Sequence, residues 1–261
     1  MDLGLKQSAC VVTGASRGIG LATARALAAE GARVLLVARD EQRLAEAAAS
    51  CDGAEWLSLD VTVPDAGERV VAECERRFGG IDVLVNNAGT ATIRSIDELA
   101  DADWYAQWEI HVMAPMRLMR AAAPRMAERG RGRIVNVTSA SGKRPSQRYA
   151  DYSVSKAAQL SLSRTFADAW AARGVLVNAV APGPLDGSLW RREGGLADQI
   201  AERQGTTADE AIADAAAKIP LGRMGTEEEA AAVICFLCSE LASNVAGAAW
   251  SVDGGAVAQI I

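Results

Sequence analysis

A chain of 261 residues, half of them hydrophobic, has enough apolar mass for one large core. Its net charge of -6 argues against a nucleic-acid partner, and no apolar run reaches the length of a membrane span. Five scattered cysteines, an odd number without a framework spacing, suit a reducing cytoplasm, and Met1-Asp2-Leu3-Gly4 does not read as a signal peptide.

The first predicted element is a short apolar strand, Ala9 to Thr13, followed directly by Gly14-Ala15-Ser16-Arg17-Gly18-Ile19-Gly20 and an Ala-rich helix from Leu21 to Glu30. Strand, glycine turn and helix start make a dinucleotide site. Glycines let the backbone approach a pyrophosphate closely, and the helix N-terminus offers free N–H groups and a positive dipole end. Arg33 to Ala38 is a second strand, apolar throughout its middle as a buried parallel strand is. Its end bears on cofactor choice. Ala38 stands where an acid often binds a ribose hydroxyl, and Arg39 follows. With Arg17 in the glycine turn, two guanidiniums can pair with a 2′-phosphate, so NADP(H) is preferred over NAD(H). The alternative is that Asp40 or Glu41 reaches the ribose and the arginines are ordinary surface.

Asp40 to Ser50 reads as helix and Trp56 to Leu59 as strand, ending at Asp60-Val61. The next helix, Pro64 to Phe78, opens on a proline as a first helical residue. Ile81 to Val85 is a strand, and Asn86-Asn87-Ala88-Gly89 stands at its C-terminal end, where open α/β sheets bind ligands. Ala102 to Glu128 is a long helix interrupted by Pro115, and it carries the only histidine, His111. Arg133 to Val137 is a strand, and Ser139 follows it into the same crevice. Asp151 to Arg173 is a helix, and Val175 to Val180 is the sixth strand, broken by Ala181-Pro182-Gly183-Pro184.

From Leu185 to Gly225 the pattern loosens. Two short helices, near Gly195 to Gln204 and Thr207 to Lys218, read as a lid over the crevice. Thr226 to Leu241 is a helix with an acidic first turn, and Ala248 to Val252 is the last strand. Cys235 and Cys238 have a CxxC spacing but lie in an apolar helical run without further ligands, which reads as core rather than metal or redox chemistry.

Tyr152-Ser153-Val154-Ser155-Lys156 is the candidate for the chemistry, the alternative being a surface Tyr and Lys on an amphipathic helix. Positions i and i+4 share a helix face, and an ammonium beside a phenol lowers the phenol's pKa from about 10. That makes a proton donor and acceptor usable near neutral pH.

Taken together, Thr13 to Gly20, Asp60-Val61, Asn86 to Gly89, Ser139, Tyr152 with Lys156, Pro182-Gly183 and Asp253-Gly254-Gly255 resemble the short-chain dehydrogenase/reductase family along essentially the whole chain. The resemblance implies one Rossmann-type α/β domain over residues 1–261. It implies a doubly wound, seven-stranded parallel sheet with helices on both faces and a lid at about 185–225. It also implies hydride transfer between NAD(P)(H) and a small-molecule carbonyl or secondary alcohol. In that reading Tyr152 exchanges the proton, Lys156 holds the nicotinamide ribose and tunes the phenol, and Ser139 binds the substrate oxygen. Gly14, Ser16, Arg17, Gly18, Ile19, Gly20 and Arg39 hold the cofactor together with Asp60, Val61, Asn87, Ala88, Gly89, Pro182 and Gly183.

Two positions depart from the family pattern. His111 stands where the family has a catalytic Asn. Either its imidazole holds a water or joins the proton relay, or the main-chain carbonyl alone holds the water and the ring packs. Gly187 stands where a Thr often binds the carboxamide, and Ser188 either substitutes or the contact is lost. The motifs are similar to those of 3-oxoacyl-carrier-protein reductases, with Arg129 and Arg173 as candidate contacts for an acidic carrier, but a general secondary alcohol fits equally. A cofactor-binding sensor without turnover is the alternative of another class. The resemblance further implies a homotetramer built through the two long helices and through the last helix and strand.

Overall fold

The computed structural model describes residues 2–258, so Met1 and residues 259–261 of the expected domain span lie outside the described residues. Seven strands form one parallel sheet in the order β3-β2-β1-β4-β5-β6-β7. They are β1 (Ala9–Thr13), β2 (Arg33–Ala38), β3 (Glu55–Ser58), β4 (Val83–Asn86), β5 (Gly132–Val137), β6 (Val175–Pro182) and β7 (Ala249–Val252). The order reverses direction between β1 and β4, and the crevice at that switch point opens at the strands' C-terminal ends.

The apolar strand runs follow from burial on both faces. Cys10 and Val12 point to one side, with Val34, Leu36, Val83 and Val85. Val11 points to the other, with Leu35, Val37 and Leu84. Helices α1 (Gly18–Ala29), α2 (Glu41–Ala49) and α11 (Glu227–Cys238) cover the first side through Leu27, Leu44, Ile234 and Leu237. Helices α3 (Ala66–Phe78), α5 (Ala114–Glu128) and α7 (Ala150–Trp170) cover the second through Val70, Leu118, Met119 and Ala167. Each fully buried leucine contributes about 1.5–3 kcal/mol of transfer free energy. Cys235 and Cys238 sit in the first core as free thiols, burial pushing both above their ordinary pKa.

Three differences from the expected boundaries have a cause visible in the structure. Helix α3 starts at Ala66, with Asp65 at the N-cap position, not at Pro64. Asp60 accepts from Thr62 N (3.0 Å) and Thr62 Oγ1 (2.7 Å), and this side-chain turn holds the chain out of helix through Pro64. Strand β6 continues through Pro182, which pairs with Val252. Ala179 and Gly183 donate toward β7, to Ala248 O and Val252 O. The missing Pro182 N–H therefore faces the β5 side, beyond Val137 where β5 ends, and no acceptor is lost. The long helix before β5 is three pieces: α4 (Asp101–Trp108), a π-turn over Glu109–Met113, and α5 with Pro115 near its start. Proline has no N–H for the carbonyl four residues back, and that residue is His111.

The segment 185–225 holds α8 (Ser188–Arg191), α9 (Leu196–Gln204) and α10 (Ala208–Ala217). The short helix α6 (Ala140–Lys143) follows β5. Among the described residues no helix is long and apolar enough to cross a membrane.

Candidate active site

At the end of β1 the backbone turns through Gly14 (φ 66°) and Gly18 (φ 64°), a left-handed conformation natural to glycine. Gly20 has another reason to be glycine: a Cβ there would stand 2.4 Å from Gly14 O and 2.5 Å from Asn87 Nδ2. Asn87 locks the turn to the end of β4, its amide donating to Thr13 O (2.8 Å) and Gly14 O (3.3 Å). Thr13 Oγ1 accepts from Asn87 N and Ala88 N. Helix α1 begins without a side-chain cap, so its first N–H groups face the crevice unsatisfied by the chain. These features fit a dinucleotide pyrophosphate.

The crevice is a cleft of 390 Å³, and every residue expected at the site lines it except Gly20, which packs behind the turn. Arg17 and Arg39 border it, together with Arg192 and with Arg43, which was not singled out from sequence. Burial, and after it the charges of Arg192, Arg43 and Arg39, lower the Arg17 pKa. Asp40 is engaged elsewhere: it caps α2 by accepting from Arg43 N (3.1 Å) and lies 3.3 Å from Arg43 Nε. Arg43 was discoverable as the residue one turn beyond Arg39, whereas no local pattern brings Arg192, part of the basic pair Arg191-Arg192, to this end of the cleft. Ser188 faces the glycine turn: a Cβ on Gly18 would meet its Oγ at 2.9 Å. Its N–H donates to Glu227 Oε1 (2.7 Å), so Glu227 ties α11 to the start of α8 besides complementing a helix dipole.

At the other end of the cleft stand Ser139, Tyr152 and Lys156. Ser139 caps α6, its Oγ accepting from Ser141 N (3.1 Å). Lys156 is buried, and its Nζ donates to Val137 O (2.8 Å) and Gln159 Oε1 (2.9 Å). The same Nζ lies 5.7 Å from the Tyr152 ring centre. Burial lowers the Lys156 pKa to about 7. The expected lowering of the Tyr152 pKa is not met. Burial pushes the phenol up to about 12, against the opposing pull of Ser139 and with a smaller push from Tyr149. The spacing places the ammonium on the right face, but Val137 O and Gln159 hold it, and desolvation prevails. Gln159, fully buried at i+3 from Lys156, was legible only as a polar residue on a covered helix face.

His111 is fully buried. Its Nε2 accepts from Thr90 N (3.3 Å), so the proton sits on Nδ1, which meets Ser155 Oγ at 3.0 Å. Ser155 Oγ in turn donates to Tyr152 O (2.8 Å). The ring packs edge-on against Tyr152, with centroids 5.2 Å apart. Burial, then the Lys156 charge, lowers the His111 pKa well below the usual value, which keeps the ring neutral. Both ring nitrogens are engaged. Among the described residues, no cluster of three or more His, Cys, Asp or Glu is arranged to hold a metal.

A family model described as enoyl-(acyl carrier protein) reductase matches residues 14–257. Galactitol 2-dehydrogenase of Agrobacterium fabrum is 35% identical over 254 residues, 96% of this chain and 98% of that protein. The 3-oxoacyl-[acyl-carrier-protein] reductase of Escherichia coli is 34% identical over 247 residues, 94% of this chain and 95% of that one. The crystal structure of L-sorbose reductase from Gluconobacter frateurii, complexed with NADPH and L-sorbose, superposes with a TM-score of 0.93 at 36% identity, covering all of both chains. The narrower acyl-carrier reading is not favoured, since polyol and ketose enzymes match as well. Arg129 is held by Asp82 at 3.1 Å and Arg173 lies over the Trp170 ring at 4.7 Å. The cleft, the match over residues 14–257 and these relatives agree: the chain belongs to the short-chain dehydrogenase/reductase family, as an NAD(P)-dependent oxidoreductase interconverting a carbonyl and a secondary alcohol.

Proposed function

We propose that this enzyme is an NADP(H)-preferring ketone reductase. The observation that carries the reading is one cleft with four guanidiniums at the cofactor end and Ser139, Tyr152 and Lys156 at the other. Gly14, Gly18, Ile19, Asn87, Pro182, Gly183 and Ser188 would hold the dinucleotide, Asp60 and Val61 its adenine, and Arg17, Arg39, Arg43 and Arg192 its 2′-phosphate. The cofactor, when bound, supplies the hydride. Ser139 Oγ binds the substrate oxygen. Tyr152, protonated at neutral pH with a pKa near 12, gives its phenolic proton to that oxygen. Lys156, near 7, takes either charge state around neutrality, and its ammonium is oriented by donating to Val137 O and Gln159 Oε1. The segment 185–225 acts as the lid of a single catalytic domain.

His111 acts as a positioning residue rather than a relay base. Its imidazole joins Thr90, on the loop after β4, to Ser155 on the catalytic helix. The role left for a relay water is the main-chain carbonyl that Pro115 leaves free of its helical donor. The protein assembles as a homotetramer, a reading supported by exposed Tyr105, Trp108 and Val154 on α4 and α7 and by Leu241 and Trp250 near β7. A monomeric mass by light scattering would refute that assembly. Its five free, buried thiols suit the cytoplasm.

The test of the cofactor reading is fluorescence titration with NADPH and NADH at fixed salt. NADPH should bind at least about tenfold tighter, one well-formed charged contact's worth. Equal affinity, or a preference for NADH, would return the ribose to Asp40 and its neighbours.

A further inference from the structure

A second cavity, of 580 Å³, abuts the catalytic end of the cleft. Trp190 lines both spaces. Tyr149, a wall of the second, packs edge-on against Tyr152 with centroids 5.8 Å apart. Its volume falls within the ~300–1,000 Å³ of small-molecule sites. Ile93, Leu196, Ile200 and Ile219 give it apolar walls.

Its charged residues set it apart. Arg144 and Arg148, from the loop between α6 and α7, and Lys218, at the end of α10, line the cavity with one carboxylate, Asp214. Among the described residues none of the three cations has an ion-pair partner, while arginines on adjoining segments do: Arg94 with Asp103, Arg191 with Asp186, Arg203 with Glu98. In a chain with 33 acidic and 27 basic residues, acids are abundant enough to have neutralised them. Three cations against one carboxylate leave this largely apolar space with a net positive charge that an anion would meet.

We infer that the substrate carries an anionic end group: its carbonyl lies at Ser139 and Tyr152, its apolar body passes Trp190 and Tyr149, and its carboxylate, sulfonate or phosphate meets Arg144, Arg148 and Lys218. This rests on the reductase reading for the position of the carbonyl. The anion site itself does not depend on turnover.

Two measurements test it. Calorimetry on the full chain with NADP(H) present compares octanoate with 1-octanol. Octanoate should bind at least about tenfold tighter, the gap narrowing as potassium chloride is raised. Replacing all three cations (Arg144→Gln, Arg148→Gln, Lys218→Gln) should abolish the preference; the three side chains are exposed, so the fold tolerates the change. Equal binding of the two probes, or a preference that survives the triple variant, overturns the site. The second measurement compares reduction of 2-octanone and 7-oxooctanoate. A higher kcat/KM for the oxo acid, lost in the triple variant, supports the proposal. Equal kcat/KM for both ketones sinks the inference that the substrate is anionic and leaves the reductase reading standing. Binding of octanoate through these residues without reduction of either ketone sinks the reductase reading and leaves the anion site standing.

Discussion

At the glycine turn an added carbon has nowhere to go, since a Cβ on Gly20 would stand 2.4 Å from Gly14 O. Across the cleft the glycines of the segment 185–225 divide: Gly187, Gly195 and Gly225 are crowded too, but Gly194, Gly205 and Gly222 have nothing within 4 Å of an added carbon. The same contrast runs through the polar contacts. Under the cleft, Asn87 and Thr13 bind main chain in a partly or wholly buried setting. In the segment above, exposed ion pairs do the holding: Arg191 with Asp186, Arg203 with Glu98 and Arg223 with Glu229. Close packing fixes the floor to fractions of an ångström, whereas screened surface charges hold the cover more weakly. The proposed function assigns cofactor geometry to the first and substrate choice to the second.

The largest effect should come from the reacting group on the floor. Tyr152→Phe keeps the ring contacts with His111 and Tyr149 but removes the proton. We expect kcat to fall by roughly 10²–10⁴, with NADPH affinity kept. A smaller loss, measured as steady-state turnover, would mean that another group delivers the proton. The comparison is sharpened by a matched pair. Gly20→Ala drives a Cβ into main chain and should cost about 1–3 kcal/mol, seen as a drop in Tm and loss of cofactor binding. Gly205→Asn, in open space at a left-handed position that asparagine tolerates, should cost less than about 1 kcal/mol. Equal losses would break the distinction.

The floor was also the more legible half. Strands buried on both faces must be apolar throughout, so β1 and β2 carry their limits in composition, and residues just after strand ends fall into the crevice by topology. Helix α8, four residues long, is too short for any periodicity. The start of α3 depends on one Asp60 side chain and the end of β6 on which neighbour strand has already stopped. Arg192, Gln159 and Glu227 reach the site through tertiary packing, which local pattern does not encode. Sequence spacing placed Lys156 beside Tyr152, but not the carbonyl of Val137 and the Gln159 amide that hold its ammonium. His111 was visible by position; its partners Thr90 and Ser155, 21 and 44 residues away, were not.

A moderate effect is expected at that histidine. Its folded pKa lies below the unfolded value of 6.5, so below pH 6.5 the unfolded chain binds more protons and stability is lost as pH falls. His111→Asn should lower Tm at neutral pH yet flatten the fall of Tm on the acid side of 6.5. It should also leave the pH profile of kcat in place while lowering its height, since a positioning residue moves no proton. A shifted profile would restore the imidazole to the relay.

The smallest effect should be found on the cover. Arg203 Nη2 donates to Glu98 Oε2 (2.8 Å) and Ile93 O (3.1 Å), joining α9 to the segment before α4 at the surface. Water and salt screen the pair, so Arg203→Gln should move Tm by less than about 2 °C. What it should change is the cost of holding α9, through Leu196 and Ile200, against Trp190 and Ile93, which raises KM and leaves kcat in place. The wild-type enzyme at high salt should show the same pattern, because the contact being lost is the same one. A Tm loss as large as that of Gly20→Ala would instead make this ion pair part of the floor's packing, and the division between a shape-fixed base and a charge-held cover would fail at α9.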